Sequence, residues 1–153
     1  MNKEFNPERY QGTWYELAKY PKLFERGCEM AVAEYTYKPR KNGLNVINKC
    51  YAYVDGKLKK IRQVHGFATI TDEPHNLSLK FDNVPFSSTY TVVWTDYDNY
   101  ALVGSPGWWI FGNFWLLSRY PIIGEKEMNR LLKLAEKYGF DRERIVINDK
   151  IEI

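Results

Sequence analysis

A chain of 153 residues can bury about two-thirds of its unfolded surface in one core, so residues 1–153 read as a single domain. Its 22 basic and 19 acidic residues leave a net charge of +3, spread evenly along the sequence, which argues against the basic stripe of a nucleic-acid surface. An aromatic content of 16%, with 12 Tyr, 8 Phe and 5 Trp, moves the expectation toward half-buried pleated sheet.

The opening "MNKEFNPERY" lacks the apolar run of about 7 to 15 residues that a secretory signal needs. No segment approaches the roughly 20 apolar residues of a membrane-spanning helix. Two origins fit: a cytoplasmic protein, or a mature form at the periplasm or outer membrane whose export or lipoprotein signal has been removed. The next segment, "GTWYELAK", predicts a strand over Gly12–Lys19 that mixes Trp14 and Tyr15 with Glu16 and Lys19. One of its rings is expected to close the floor of a hollow.

Turn signals then follow at short intervals: "KPRKNG", the Asp55 and Gly56 pair, "TDEPHN", "DNVPFSS", "DYDN" and "GSPGWWIFGN". The segments between them are rich in Val, Ile, Thr, Tyr and Phe and predict antiparallel strands. These run over Glu29–Lys38, Leu44–Val54, Lys57–Ile70, Asn76–Phe81, Thr89–Thr95, Tyr100–Ser105 and Phe114–Tyr120, making eight with the first. After "YPIIG" the apolar period lengthens: Met128, Leu131, Leu132, Leu134, Ala135 and Tyr138 recur at helical spacing, and Gly139 falls at a C-terminal cap. "ERIVINDKIEI" offers a short final strand. This order predicts an all-β fold, an eight-stranded up-and-down antiparallel β-barrel with one C-terminal α-helix packed outside.

Alternation assigns the inner face. In "NLSLKFD" the apolar set Leu77, Leu79 and Phe81 should face the lumen, and in "VHGFATI" the residues Val64, Gly66, Ala68 and Ile70 share one face. The same parity carried back along the strand turns Lys60 and Arg62 inward. His65 then faces outward, and with His75 in a turn no metal or haem site is expected.

Three stretches in order resemble the lipocalin family: Gly12, Thr13 and Trp14 as a G-x-W motif, "TDYDNYALV" from Thr95 to Val103, and Arg119 in "WLLSRYP". "GTWYE", "FERG", "GLNVINKCY" and "WLLSR" extend the likeness over nearly the whole chain. The resemblance implies that Trp14 lies at the barrel floor with Arg119 stacked across it, a contact worth about 0.5 to 2 kcal/mol, while Gly12 lets the backbone pass beneath. It implies a binding protein without a cofactor rather than an enzyme. It also implies pocket contacts at Tyr35, Thr91 and Trp115, to which strand parity adds Ala33, Leu79, Phe81 and Val93.

In this topology the open end is formed by Pro21–Gly27, the turn at Asp55, Asp82–Ser88 and Gly104–Asn113. A long apolar cavity there suits the acyl chain of a fatty acid or lysophospholipid. Lys60 and Arg62 near the mouth are expected to meet its acidic head through charge-assisted hydrogen bonds, or else to be solvated mouth residues. Trp108, Trp109 and Phe111 form a lid, a membrane-contacting rim or a self-association patch, or fold back as packing. The competing readings are an isomerase or epoxide-opening enzyme using Cys50 as a lumenal nucleophile, beside which the sequence places no base, and a tetrapyrrole carrier. If the turn at Asn42 pairs Lys38 with Leu44, Val32 lies opposite Cys50, so a Cys28 to Cys50 bridge needs an irregular start to the second strand. Lipocalins often have one there, and a bridge would argue for an oxidising compartment.

Overall fold

Pro7 has no N–H to lose at the start of a helix, and Asn6 offers a capping carbonyl. Together they start an element that the apolar pattern does not signal: a single helical turn, α1 (Pro7–Tyr10), whose Arg9 N–H is accepted by the Asn6 side chain. The computed structural model describes residues 4–21, 28–73, 75–105 and 112–148.

Eight strands follow as read from the sequence: β1 (Gly12–Lys19), β2 (Met30–Lys38), β3 (Gly43–Val54), β4 (Lys57–Ile70), β5 (Asn76–Phe81), β6 (Ser88–Thr95), β7 (Tyr100–Ser105) and β8 (Asn113–Ser118). Each pairs antiparallel with the next, and β1 pairs with both β8 and β2, so the sheet closes on itself. The β3–β4 turn is a two-residue hairpin with Asp55 and Gly56 both at positive φ, the geometry that follows the twist of the flanking strands. The β2–β3 turn pairs Lys38 with Gly43 rather than Leu44, which places Ala31, not Val32, opposite Cys50.

Two apolar layers result from the two strand faces. The lumenal layer contains Trp14, Tyr35, Leu44, Val46, Ala68, Leu77, Tyr90, Val92, Ala101, Val103 and Leu117, with Phe5 and Tyr10 entering from the N-terminal segment. The outer layer lies between the barrel and α2 (Glu125–Lys137), which buries Leu131, Leu132 and Ala135 against Leu17, Leu102, Phe114 and Leu116. The final strand, β9 (Val146–Ile147), is only two residues long and pairs with Ala18 and Lys19 of β1.

Gly66 has a specific reason in this lumen. A Cβ there would lie 2.8 Å from Cδ1 of Phe81 and 2.9 Å from the Lys80 carbonyl oxygen. The missing side chain is what lets the Phe81 ring lie against β4.

Candidate functional site: a half-filled barrel with a charged mouth

The G-x-W and Arg residues meet at the closed end. The Arg119 guanidinium carbon lies 3.6 Å from the Trp14 ring centroid. Its nitrogens donate to the Tyr97 carbonyl at 3.1 Å, Thr13 at 3.0 Å and Arg9 at 3.0 Å, so one side chain ties β1, α1 and the β6–β7 turn together. Gly12 has φ +108, and a Cβ on it would come 3.1 Å from Nη1 of Arg119. Trp14 is fully buried, and its indole N–H donates to the Tyr10 carbonyl at 2.8 Å.

Above this plug the barrel is packed rather than hollow. Tyr10 and Tyr90 place their hydroxyls 2.6 Å apart, and Tyr35 and Tyr90 theirs 2.9 Å apart. Burial pushes all three phenols well above their ordinary range. Tyr35 therefore closes the lower lumen, and Leu79 and Trp115 are half-buried side chains packed against the lumenal layer.

Toward the open end lies a cavity of about 420 Å³. Its apolar wall includes Trp14, Ala33, Val64, Phe81, Val84 and Leu117, and its polar wall includes Glu16, Lys19, Asn48, Lys49, Arg62 and Asn83. Of the residues expected to contact ligand, Ala33, Arg62 and Phe81 are on this wall. Glu16, Lys19, Asn48 and Asn83 were not foreseen.

Strand irregularities account for the differences on β1 and β4. On β1 the register with β8 passes from Glu16 opposite Leu117 to Ala18 opposite Leu116, leaving Leu17 as an extra residue. A bulge of this kind resets side-chain parity. Leu17 and Ala18 both join the outer layer, and Lys19, opposite Trp115, returns to the cavity beside Glu16.

A second bulge corrects the expectation for Lys60. Cys50 pairs with Arg62 and Tyr51 with Lys60, so Ile61 is the unpaired residue on β4. Arg62 keeps its inward parity, with Nη2 3.5 Å from Cys50 Sγ. Lys60 is turned out of the lumen and donates to Gln63 at 2.7 Å, and Gln63 in turn meets His65 at 3.0 Å on the exterior.

Thr91 and Val93 are corrected as well. The lumenal residues of β6 are Tyr90 and Val92. Thr91 faces the other way and donates to Asn76 at 2.7 Å, and Val93, at a bulge between Val92 and Trp94, packs in the outer layer. Trp108, Trp109 and Phe111 lie outside the described residues.

Cys28 and Cys50 form a disulfide with their Cα atoms 5.4 Å apart. The start of β2 is irregular in the way such a bridge needs: the Glu29 N–H donates to the Tyr51 carbonyl at 2.7 Å just before the regular pairing of Met30 with Tyr51. Both cysteines line the cavity. The bridge removes the Cys50 thiol on which the enzymatic reading depended.

A family model described as a lipocalin-like domain matches residues 5–150. The outer membrane lipoprotein Blc of Escherichia coli (strain K12) is 36% identical over 144 residues, 93% of this chain and 77% of that protein. Apolipoprotein D of Bos taurus is 33% identical over 159 residues, 99% of this chain and 80% of that protein. Among solved structures, insecticyanin from the tobacco hornworm Manduca sexta superposes with a TM-score of 0.73 at 22% identity, covering 98% of this chain and 83% of that one. At that identity the likeness bears on the fold alone.

Proposed function

The chain belongs to the lipocalin-like family, and from that premise we propose that its barrel takes up a single-chain amphiphile with an acidic head, a fatty acid or lysophospholipid, for transport, storage or scavenging. The observation that carries this reading is the division of the cavity wall. Its inner part is Trp14, Ala33, Phe81 and Leu117, and Arg62 belongs to the same wall. An acyl tail directed at Trp14 leaves its head group in reach of a guanidinium, whose planar donors suit a carboxylate or phosphate. A volume of about 420 Å³ is toward the small end of ligand pockets, which span about 300 to 1,000 Å³. That supports one chain rather than a two-chain lipid or a bulky macrocycle.

The Cys28 to Cys50 disulfide supports a home in an oxidising compartment, outside the cytoplasm. Relatives named as outer membrane lipoproteins point the same way.

Native mass spectrometry of protein purified from cells tests the ligand class, and a co-purified single-chain acyl lipid is the expected result. Binding of a fatty acid and the matching fatty alcohol to Arg62→Met tests the head group. The acid should weaken by about 1 to 3 kcal/mol, the worth of a charged hydrogen bond, and the alcohol should be nearly unaffected. Lys60→Met should change neither. Equal losses for acid and alcohol in Arg62→Met would show that the arginine shapes the cavity without reading charge.

A further inference from the structure

The β3–β4 hairpin rises past its neighbours. Pairing of β2 with β3 stops at Tyr51, and pairing of β5 with β4 begins only at Gly66. Among the described residues, Ala52 to Lys59 therefore stand as a two-stranded ribbon at the open end with neither outer edge in the sheet, and from Lys60 to Val64 β4 continues with its outer edge open.

The ribbon and the open edge of β4 beside it carry Lys57, Lys59 and Lys60, and Arg62 of the cavity wall, against the single acid Asp55, a local net charge of +3. That equals the net charge of the whole chain, so every other charge in the protein cancels. Lysines on an open strand edge also guard against edge-to-edge pairing. Edge protection does not account for the exposed apolar groups: Tyr53 is 46% exposed and Ile61 40% on the hairpin, and Phe86 is 68% exposed in the loop after β5, whose Asn83 and Val84 line the cavity with Arg62.

We propose that the β3–β4 ribbon, together with the exposed Phe86 of the loop after β5, docks the open end of the barrel on an anionic lipid surface. Cations interleaved with exposed Tyr, Ile and Phe match such a surface on two counts: the lysines meet the lipid head groups, and the apolar side chains enter the head-group and acyl boundary. A nucleic acid would leave Ile61, Val54 and Phe86 without a partner. Docked this way, the mouth faces the bilayer, and a ligand passes between membrane and cavity without crossing bulk water. The docking is independent of which ligand the barrel takes.

Co-sedimentation with vesicles is the test, using phosphatidylcholine alone and phosphatidylcholine mixed with phosphatidylglycerol. The protein should partition onto the anionic vesicles, and added salt should release it. Lys57→Gln with Lys59→Gln should lower the partition coefficient about 25-fold, at about fivefold per cation. Tyr53→Ser with Ile61→Ser should lower it as well. Both variants should keep the melting temperature and the fatty-acid affinity measured without vesicles, which separates a failure of docking from a failure of the barrel. Equal binding to neutral and anionic vesicles, or full binding by the lysine variant, would overturn the proposal. So would duplex DNA binding as tightly as the anionic vesicles.

Discussion

Glu16 and Lys19 are three residues apart on one strand yet share a face, with Oε1 and Nζ 3.4 Å apart, because Leu17 is the extra residue of a bulge. In a regular strand they would point to opposite sides. The bulge brings both charges into the wall of the cavity beside the Trp14 floor. Glu16 therefore sets a negative charge in the same cavity wall as Arg62, and it opposes an acidic ligand. Glu16→Gln should strengthen fatty-acid binding by about 1 kcal/mol, a charge interaction at the effective dielectric of a partly open site. Lys19→Met should weaken it by a similar amount. Isothermal titration with one fatty acid checks both, and a loss of affinity in Glu16→Gln would contradict the charge argument.

Arg119 is a structural residue in this geometry, because it spends its donors on the carbonyls of Arg9, Thr13 and Tyr97 and its face on Trp14. Arg119→Met should cost about 3 kcal/mol, the scale of charged hydrogen bonds lost together with a stacked cation. Arg119→Lys should recover little, since an ammonium cannot fork to several carbonyls while lying flat on an indole. Chemical denaturation measures both costs. Ligand preference should not move, because the cavity lies on the other side of Trp14.

The meander, the closing helix and the floor are legible in the sequence because each depends on local signals: turn residues at short intervals, a change of apolar period, and the G-x-W glycine. The site is only partly legible. Ala33, Arg62 and Phe81 follow from simple alternation, and Lys60 is displaced by the bulge at Ile61, whereas Thr91 and Val93 alternate regularly with the lumenal Tyr90 and Val92, so the expected phase of β6 is one residue out. Where a bulge inserts one residue, at Leu17 and Ile61, the two-residue period changes phase. No composition cue marks these places, since Leu and Ile are ordinary strand residues. The filling of the lower barrel escapes for another reason. It depends on Tyr10 from α1 reaching Tyr35 and Tyr90 across long sequence separations.

The Cys28 to Cys50 bridge closes a loop with a sequence separation of 22, for which the chain-entropy relation gives about 3 kcal/mol. Cys28→Ala with Cys50→Ala should lose about that much stability. It should also weaken ligand binding, because both residues line the cavity and the bridge fixes the start of β2 against β3. Denaturant midpoints of oxidised and reduced wild-type protein give the same comparison without mutation. Identical midpoints would show that strand pairing alone holds this corner.

Stability should fall steeply at alkaline pH, and the cause is the tyrosine cluster. Tyr10, Tyr35 and Tyr90 are buried, and burial raises their phenol pKa values in the folded protein, whereas in the unfolded chain they titrate near pH 10. Below about pH 9 both states hold these protons and stability does not change on their account. Above about pH 10 the unfolded chain releases protons that the folded barrel retains, so the unfolded state binds fewer and stability drops as pH rises. The limiting slope is about 1.4 kcal/mol per pH unit for each phenol, or about 4 for the three together. Urea midpoints measured between pH 8 and pH 11, by way of rough limits around that onset, should show the fall. Tyr35→Phe should make it shallower while costing about 1 kcal/mol at neutral pH for the lost hydrogen bond to Tyr90. Ultraviolet phenolate absorbance supplies an independent readout: part of the 12 Tyr signal should appear only as the protein unfolds. A titration in which every tyrosine ionises near pH 10 with the fold intact would show that these hydroxyls are open to solvent, and the packed lower barrel would have to be abandoned.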